Sequence, residues 1–341
     1  MKLTTGMWLR LVILGCVIPF VLSTIAYQGF STNYTTGVFS RGGFEDQYQS
    51  GIYKYRVLGR VLLLRTYDLV RSYRLPVITT LSLTVLDKNA DPQFYSAYFY
   101  LNTFFLCLAS MVLFVILAGH RQSTDFMTVD LPILFICAVI TMTQYVVVPY
   151  DTLSYFLLAV AALVTVRDRG TWWTAPALCI VVVLAMLTRE TAILILAFYV
   201  AVNNHAILTV PTGRHINRHQ AVLLMASTCF LCTYVGLRIV MGYDGAVYED
   251  FRFSRNLDRF SLLSTAFLAS FVVLALITKT AMREIAVFLL AALLYILPMF
   301  MIATLWEIRL WTPIVLLLTV IKARAAQLAV PEMLVLPSPR Q

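Results

Sequence analysis

The sequence predicts an all-α polytopic membrane protein with about ten transmembrane helices. Three observations carry this. Hydrophobic residues make up 60% of the 341 residues and charged residues only 13%, too apolar for a soluble domain around one core. Long apolar stretches recur from residue 8 to residue 321. Lys and Arg fall in alternate short loops between them, the pattern that orients helices in a bilayer.

The predicted spans are residues 7–27, 97–118, 129–148, 152–166, 174–188, 191–208, 220–240, 261–278, 284–304 and 310–321. Lys2 and Arg10 precede or open the first span. Arg121, Arg167 and Arg169, Arg214 and Arg218, Lys279 and Arg283, and Lys322 and Arg324 follow the even-numbered ones. Both termini are therefore expected on the cytoplasmic side. Residues 1–27 have the outline of a signal peptide, but the run from Met7 to Ala26 is long enough to span and is read as a retained helix. Residues 1–324 form one transmembrane domain, and Ala325–Gln341, with three prolines, reads as a loose cytoplasmic tail.

Spans 174–188 and 191–208 are divided only by Arg189-Glu190, with no Gly or Pro to turn the chain. One long helix there would move Arg214 and Arg218 to the outer side, so two helices are expected. Several spans are short: about 15 residues cover only about 22 Å of a hydrocarbon core of about 30 Å. Groups between such spans sit within the bilayer's depth, where charge is tolerated only against protein or water. A hydrated cavity open to the outer side follows.

The first outer segment, residues 28–96, carries Arg41, Lys54, Arg56, Arg60, Arg65, Arg71, Arg74 and Lys88. Its length weakens the loop-charge rule. Gly42-Gly43 permits a turn, Glu45-Asp46 follows, and a helical pattern starts near Tyr53. At 100° per residue, Arg56, Arg60, Arg71 and Arg74 share one arc, and Val57, Val61, Leu62 and Leu69 form an apolar face. That describes an amphipathic interfacial helix. Its arginines suit a bound phosphate by bidentate hydrogen bonds, or bulk lipid phosphates by snorkelling. The adjacent acids Glu45 and Asp46 are either a solvated loop pair or a general base with an orienting or metal-holding neighbour.

Other ionisable groups fall at the same side. Asp151, after Val148-Pro149-Tyr150, suits sugar hydroxyls or the N-cap of the next span. Arg189 and Glu190 suit a donor phosphate and its orientation, or an ion pair to another helix. Glu307 and Arg309 pose the same pair of readings, with Arg189–Glu307 or Arg309–Glu190 as candidate pairs. The loop 241–260, rich in Tyr, Phe, Asp and Arg, suits sugar rings or an ordinary aromatic belt.

The charge of +9 does not indicate nucleic acid, because its 21 Arg and 5 Lys form no run. The six cysteines all lie in apolar stretches, and Cys229-x-x-Cys232 reads as helix packing. His120, His205, His215 and His219 all fall on the cytoplasmic side, which disfavours a Ser-His hydrolase or a His-ligated metal in the outer cavity. The sequon at Asn33 reads as incidental.

One helix, a long outer loop with an early acidic pair, interfacial helices and then many spans together resemble the GT-C superfamily of membrane glycosyltransferases. The strings YKYRVLGRVLL at 53–63, YDTLSYFLLAVAALV and LTRETAILIL within 150–196, and WEIRLWTPIVLL at 306–317 are similar to those of bacterial GT-C-like proteins. The resemblance implies a polyprenyl-phosphate sugar donor, a glycan or glycolipid acceptor, and a site facing the periplasm of a bacterial inner membrane. It implies Asp46 as the base that deprotonates the acceptor hydroxyl, with Glu45 as the alternative, and inversion at the sugar. Arg56, Arg60, Arg189 and Arg309 would hold the phosphate, and Asp151, Glu190 and Glu307 the rest of the substrate. A divalent metal, Mg or Mn, is compatible but not required, since arginine can neutralise the phosphate. The first outer loop is shorter than in many members and no soluble outer domain follows. Two other readings remain: a transporter or lipid-linked sugar flippase, which needs polar groups through the full membrane depth, and a non-catalytic partner of an envelope synthase.

Overall fold

The computed structural model describes residues 4–30, 37–49, 51–78, 83, 88–119, 126–168, 171–208, 216–242, 256–277, 281–303, 305 and 307–328. Their regular structure is helical. The helices are α1 (Thr5–Gly29), α2 (Arg41–Gln47), α3 (Val57–Ser72), α4 (Pro92–Ala118), α5 (Phe126–Tyr145) and α6 (Asp151–Val166). They continue with α7 (Thr174–Met186), α8 (Ile193–Val202), α9 (Asn204–Leu208), α10 (Arg218–Met241), α11 (Arg259–Ile277), α12 (Met282–Ile302) and α13 (Ile308–Leu328).

Each predicted apolar stretch is mainly helical over its described residues, because a continuous apolar run satisfies its backbone only within itself. Five helices, α1, α4, α5, α10 and α12, are long and apolar enough to cross a membrane by themselves. The apolar helices α6, α7 and α8 are shorter. Large apolar side chains are left bare on α10 and α12, with Ile239 76% and Val240 81% exposed. A water-soluble surface does not tolerate such faces, and a hydrocarbon solvent does. The chain is an integral membrane protein by these helices.

The shorter α6 and α8 form the interior together with α4 and α13. α6 packs against α4, α7, α8 and α13. Its buried Ser154, Ala159, Ala161 and Ala162 let neighbouring backbones approach closely. α1 lies on α4 and α5. Within α1 a π turn at Ile13–Val17 releases carbonyls from the regular ladder. Ser110 on α4 donates to the Leu14 carbonyl at 2.7 Å and so satisfies one of them.

Four local expectations change. The helix anticipated from Tyr53 begins at Val57, after a 3₁₀ turn at Gly51–Tyr55. Its buried stripe is Gly59, Leu63, Tyr67 and Val70, packed on α4, while Val61 and Leu69 face outward. Spacings of four, four and three residues make that stripe, and the aromatic surface of α4 selected it over the equally apolar opposite arc. Gly42-Gly43 lies in the first turn of α2 rather than in a turn, and the positive φ of 98° falls at Gly37. A Cβ at Gly43 would stand 2.0 Å from the Gly37 carbonyl oxygen, so the glycine serves close approach. The tail expected from Ala325 is helical to Leu328, with Ala325 buried. Residues 329–341, the sequon at Asn33, and most of the 241–260 loop (243–255) lie outside the described residues.

Alternating helix direction sorts the ion pairs to two ends. Arg10–Asp130 at 2.6 Å and Arg218–Asp168 at 2.7 Å lie at one end, with His205 and His219. Arg56, Asp151, Arg189, Glu190, Glu307 and Arg309 lie at the other.

Candidate anion-binding site

Three breaks in the apolar helices build this end. α7 stops at Met186, and Arg189 takes an extended conformation, φ −166° and ψ 151°, before Glu190 opens a 3₁₀ turn. The two-helix reading of 174–208 therefore holds without Gly or Pro. An uninterrupted helix would point both charges at apolar neighbours, whereas the break turns Arg189 onto Asp151. Asp151 opens α6 behind Pro149-Tyr150. It is not the N-cap: Tyr150 holds that position, and the Asp151 carboxylate faces arginine within the favourable first turn. Arg309 opens α13, two residues after Glu307.

Asp151 is fully buried between two guanidinium groups. Its Oδ1 accepts from Arg189 Nη1 at 2.5 Å, and its Oδ2 lies 3.9 Å from Arg309 Nη1. Arg309 Nε donates to Glu307 Oε2 at 2.6 Å. The anticipated pairs Arg189–Glu307 and Arg309–Glu190 are thus replaced by a shared Asp151. Glu190 instead faces Arg56, at 3.7 Å. Hydroxyls support the frame: Ser154 and Thr191 share a hydrogen bond of 2.8 Å, and Tyr155 donates to the Arg309 carbonyl at 3.1 Å.

Arg56 enters from the other side, just ahead of α3. Its guanidinium lies 4.2 Å from the Tyr150 ring centre and 5.4 Å from that of Tyr53. Tyr48 lies 6.3 Å from Tyr53, and Arg60 stands 5.9 Å over the Tyr48 ring. Arg56 Nε, the hydroxyls of Tyr48 and Tyr150, and Asp151 Oδ2 are buried with no hydrogen-bond partner among the described residues. Burial pushes the Tyr48 and Tyr150 phenols well above their ordinary range, against the pull of Arg56, so both stay neutral donors.

Two contacts hold Arg56 there. The Leu58 amide donates to the Leu187 carbonyl at 3.0 Å, tying the start of α3 to the α7 break. Gly59 lies against the 149–150 turn, where a Cβ would meet Tyr150 Cβ at 3.0 Å and the Pro149 carbonyl oxygen at 3.4 Å. Gly59→Leu is expected to cost about 1–3 kcal/mol by overpacking and to lift Arg56 from Tyr150. Thermal unfolding in detergent checks this, with Gly59→Ala expected to fall closer to wild type because helix propensity offsets part of the crowding. Beneath the turn, Asn102 faces Tyr27 Oη at 2.6 Å, Gln144 Oε1 at 3.1 Å and the Val148 carbonyl at 3.0 Å, and accepts from Thr152 at 2.6 Å.

The acidic pair lies on α2, outside this group of contacts. Phe44 anchors α2 against Phe94 and Tyr98. Glu45 pairs with Arg41 at 3.2 Å, and Asp46 is exposed, two residues before Tyr48. The arginine arc is also divided: Arg56 is buried ahead of α3, Arg60 is half-buried, and Arg71 and Arg74 are exposed at its far end. Tyr48, Tyr53, Tyr150, Asn102 and Gln144 were not anticipated. The interleaving of Tyr with Arg and Lys over residues 48–56 was the available signal for the first two. Among the described residues no three His, Cys, Asp or Glu side chains gather as a metal-binding group, and Asp151, Glu190 and Glu307 each face a guanidinium.

Comparison with protein-family models, with curated proteins and with solved structures gave no match.

Proposed function

We propose that the chain is a membrane glycosyltransferase of GT-C type, moving a sugar from a polyprenyl-phosphate donor to an acceptor hydroxyl. The observation that carries this reading is the gathering of Arg56, Arg189 and Arg309 at one end of an apolar bundle, beside buried phenol hydroxyls with no hydrogen-bond partner among the described residues. Displacing a sugar from a phosphate ester adds negative charge to the leaving phosphate. Fixed cations and hydroxyl donors there stabilise that charge more in the transition state than in the bound donor. Arg56, with Arg60 behind it, is the primary phosphate contact. Arg189 and Arg309 supply field from fixed positions, since carboxylates already occupy their nearest donors.

Asp46 on the neighbouring α2 takes the proton from the acceptor hydroxyl as that oxygen attacks the sugar carbon. The bond to phosphate breaks on the opposite face, giving inversion. The acceptor approaches from the α2 side, where Asp46 is exposed. The reading puts this end of the bundle at the periplasmic face of a bacterial inner membrane, with all ten apolar helices crossing or entering the bilayer. A transport path calls for ionisable groups through the membrane depth, whereas the ion pairs of the described residues gather at the two ends.

The test is transfer of radiolabelled sugar from a panel of polyprenyl-phosphate sugars into lipid extract, by the full chain purified in detergent. Transfer by wild type and its loss in Arg56→Gln, by about ten- to a hundredfold for one charged contact, is the expected result. Donor binding without transfer from any donor would move the assignment to transport or assembly.

A further inference from the structure

The four arginine–carboxylate contacts at the site are not equivalent, and the longest, Arg309–Asp151 at 3.9 Å, joins two groups that each hold a closer partner. Arg189–Asp151 at 2.5 Å and Arg309–Glu307 at 2.6 Å are hydrogen bonds between largely buried groups. Arg56–Glu190 is 3.7 Å, beyond hydrogen-bond length, and the Glu190 side chain is 33% exposed. Arg56 itself is only 6% exposed, and its Nε has no hydrogen-bond partner among the described residues. The rings of Tyr150 and Tyr53 lie against it, and the hydroxyls of Tyr150 and of nearby Tyr48 are orphaned in the same way. A buried guanidinium is thus held by the faces of Tyr150 and Tyr53 and balanced loosely by one partly exposed carboxylate. Leaving such donors unmet is costly, and a tetrahedral oxyanion fits them better than the planar carboxylate at 3.7 Å does.

We propose that Glu190 is a built-in competitor for the anion site of Arg56: it balances Arg56 in the free protein, yields to an incoming phosphate group, and so sets how tightly that group is held. This rests on the phosphate-bearing donor proposed above. Glu190 opens the 3₁₀ turn directly after the extended Arg189. Its neighbour Arg189 is locked on Asp151, so Glu190 can turn away without dragging a second buried charge. A phosphate that enters must oppose the Glu190 charge as well as displace it, which disfavours ligands carrying extra negative charge.

The test is equilibrium binding of a short-chain prenyl monophosphate, and of the matching prenyl alcohol, to the detergent-purified full chain. Glu190→Gln is expected to bind the monophosphate about two- to fivefold tighter than wild type, the range set by a pair too long to hydrogen-bond and open to solvent at its carboxylate, with alcohol binding unchanged. Glu190→Ala, which removes the side chain's hydrogen-bonding head as well, is expected to tighten in the same direction. Monophosphate binding that is equal or weaker in both variants, with matching thermal unfolding, overturns the competitor role. A failure of all three proteins to prefer the monophosphate over the alcohol overturns the anion site itself. Tightening in the variants without sugar transfer from any donor would support Glu190's role while removing the glycosyltransferase reading.

Discussion

Asp46→Asn is expected to lower sugar transfer by about a hundred- to ten-thousandfold, the usual worth of a general base, without moving the thermal unfolding midpoint. The side chain is exposed, and its helix is held by other groups: Ser40 caps it, accepting from the Gly43 amide at 3.3 Å, and Phe44 is buried beneath it. Asn keeps the shape and removes only the ability to take a proton. Glu45→Gln is the matched control. It breaks the exposed Arg41 pair, worth about 0.3–0.5 kcal/mol, and leaves an aspartate base intact. Initial transfer rates for the two variants separate the candidates. Activity lost in Glu45→Gln and kept in Asp46→Asn would reassign the base to Glu45, and wild-type rates in both would remove α2 from the chemistry.

Asp151→Leu is expected to cost about 3–5 kcal/mol, the penalty for stripping a buried pair of one partner. Arg189 would then lose the carboxylate it donates to, with a charge that arginine cannot shed, while Arg309 keeps Glu307 but loses the second carboxylate beside it. The double variant Asp151→Leu with Arg189→Leu is expected to recover part of the loss, because it removes the stranded Arg189 cation, while Arg309 stays paired with Glu307. Asp151→Asn should fall between, since it retains an acceptor for Arg189 but no countercharge. Thermal unfolding in detergent, compared across the three, reads the order. Equal midpoints for Asp151→Leu and wild type would mean that the two arginines are balanced by groups other than Asp151.

Sequence alone determined where the helices lie and that the ionisable groups collect at the ends of the bundle. Both follow from one-dimensional physics. An apolar run must satisfy its backbone internally, and a charge must avoid hydrocarbon. The break at Arg189-Glu190 was legible for the same reason, because one long helix there would have reversed the charge pattern of the loops downstream. Partner choice was not legible. Arg189 meets Asp151, 38 residues away, rather than Glu307, and Glu190 meets Arg56. Such pairs depend on the angle and offset between helices to within about an ångström, since Coulomb and hydrogen-bond energies change steeply over that distance. The face of α3 that turns inward, the seating of Arg56 on Tyr150 and the gathering of Tyr48 and Tyr53 around it were decided in the same way. Each arose from packing against α4 and the 149–150 turn, surfaces that have no periodic trace in the chain that meets them.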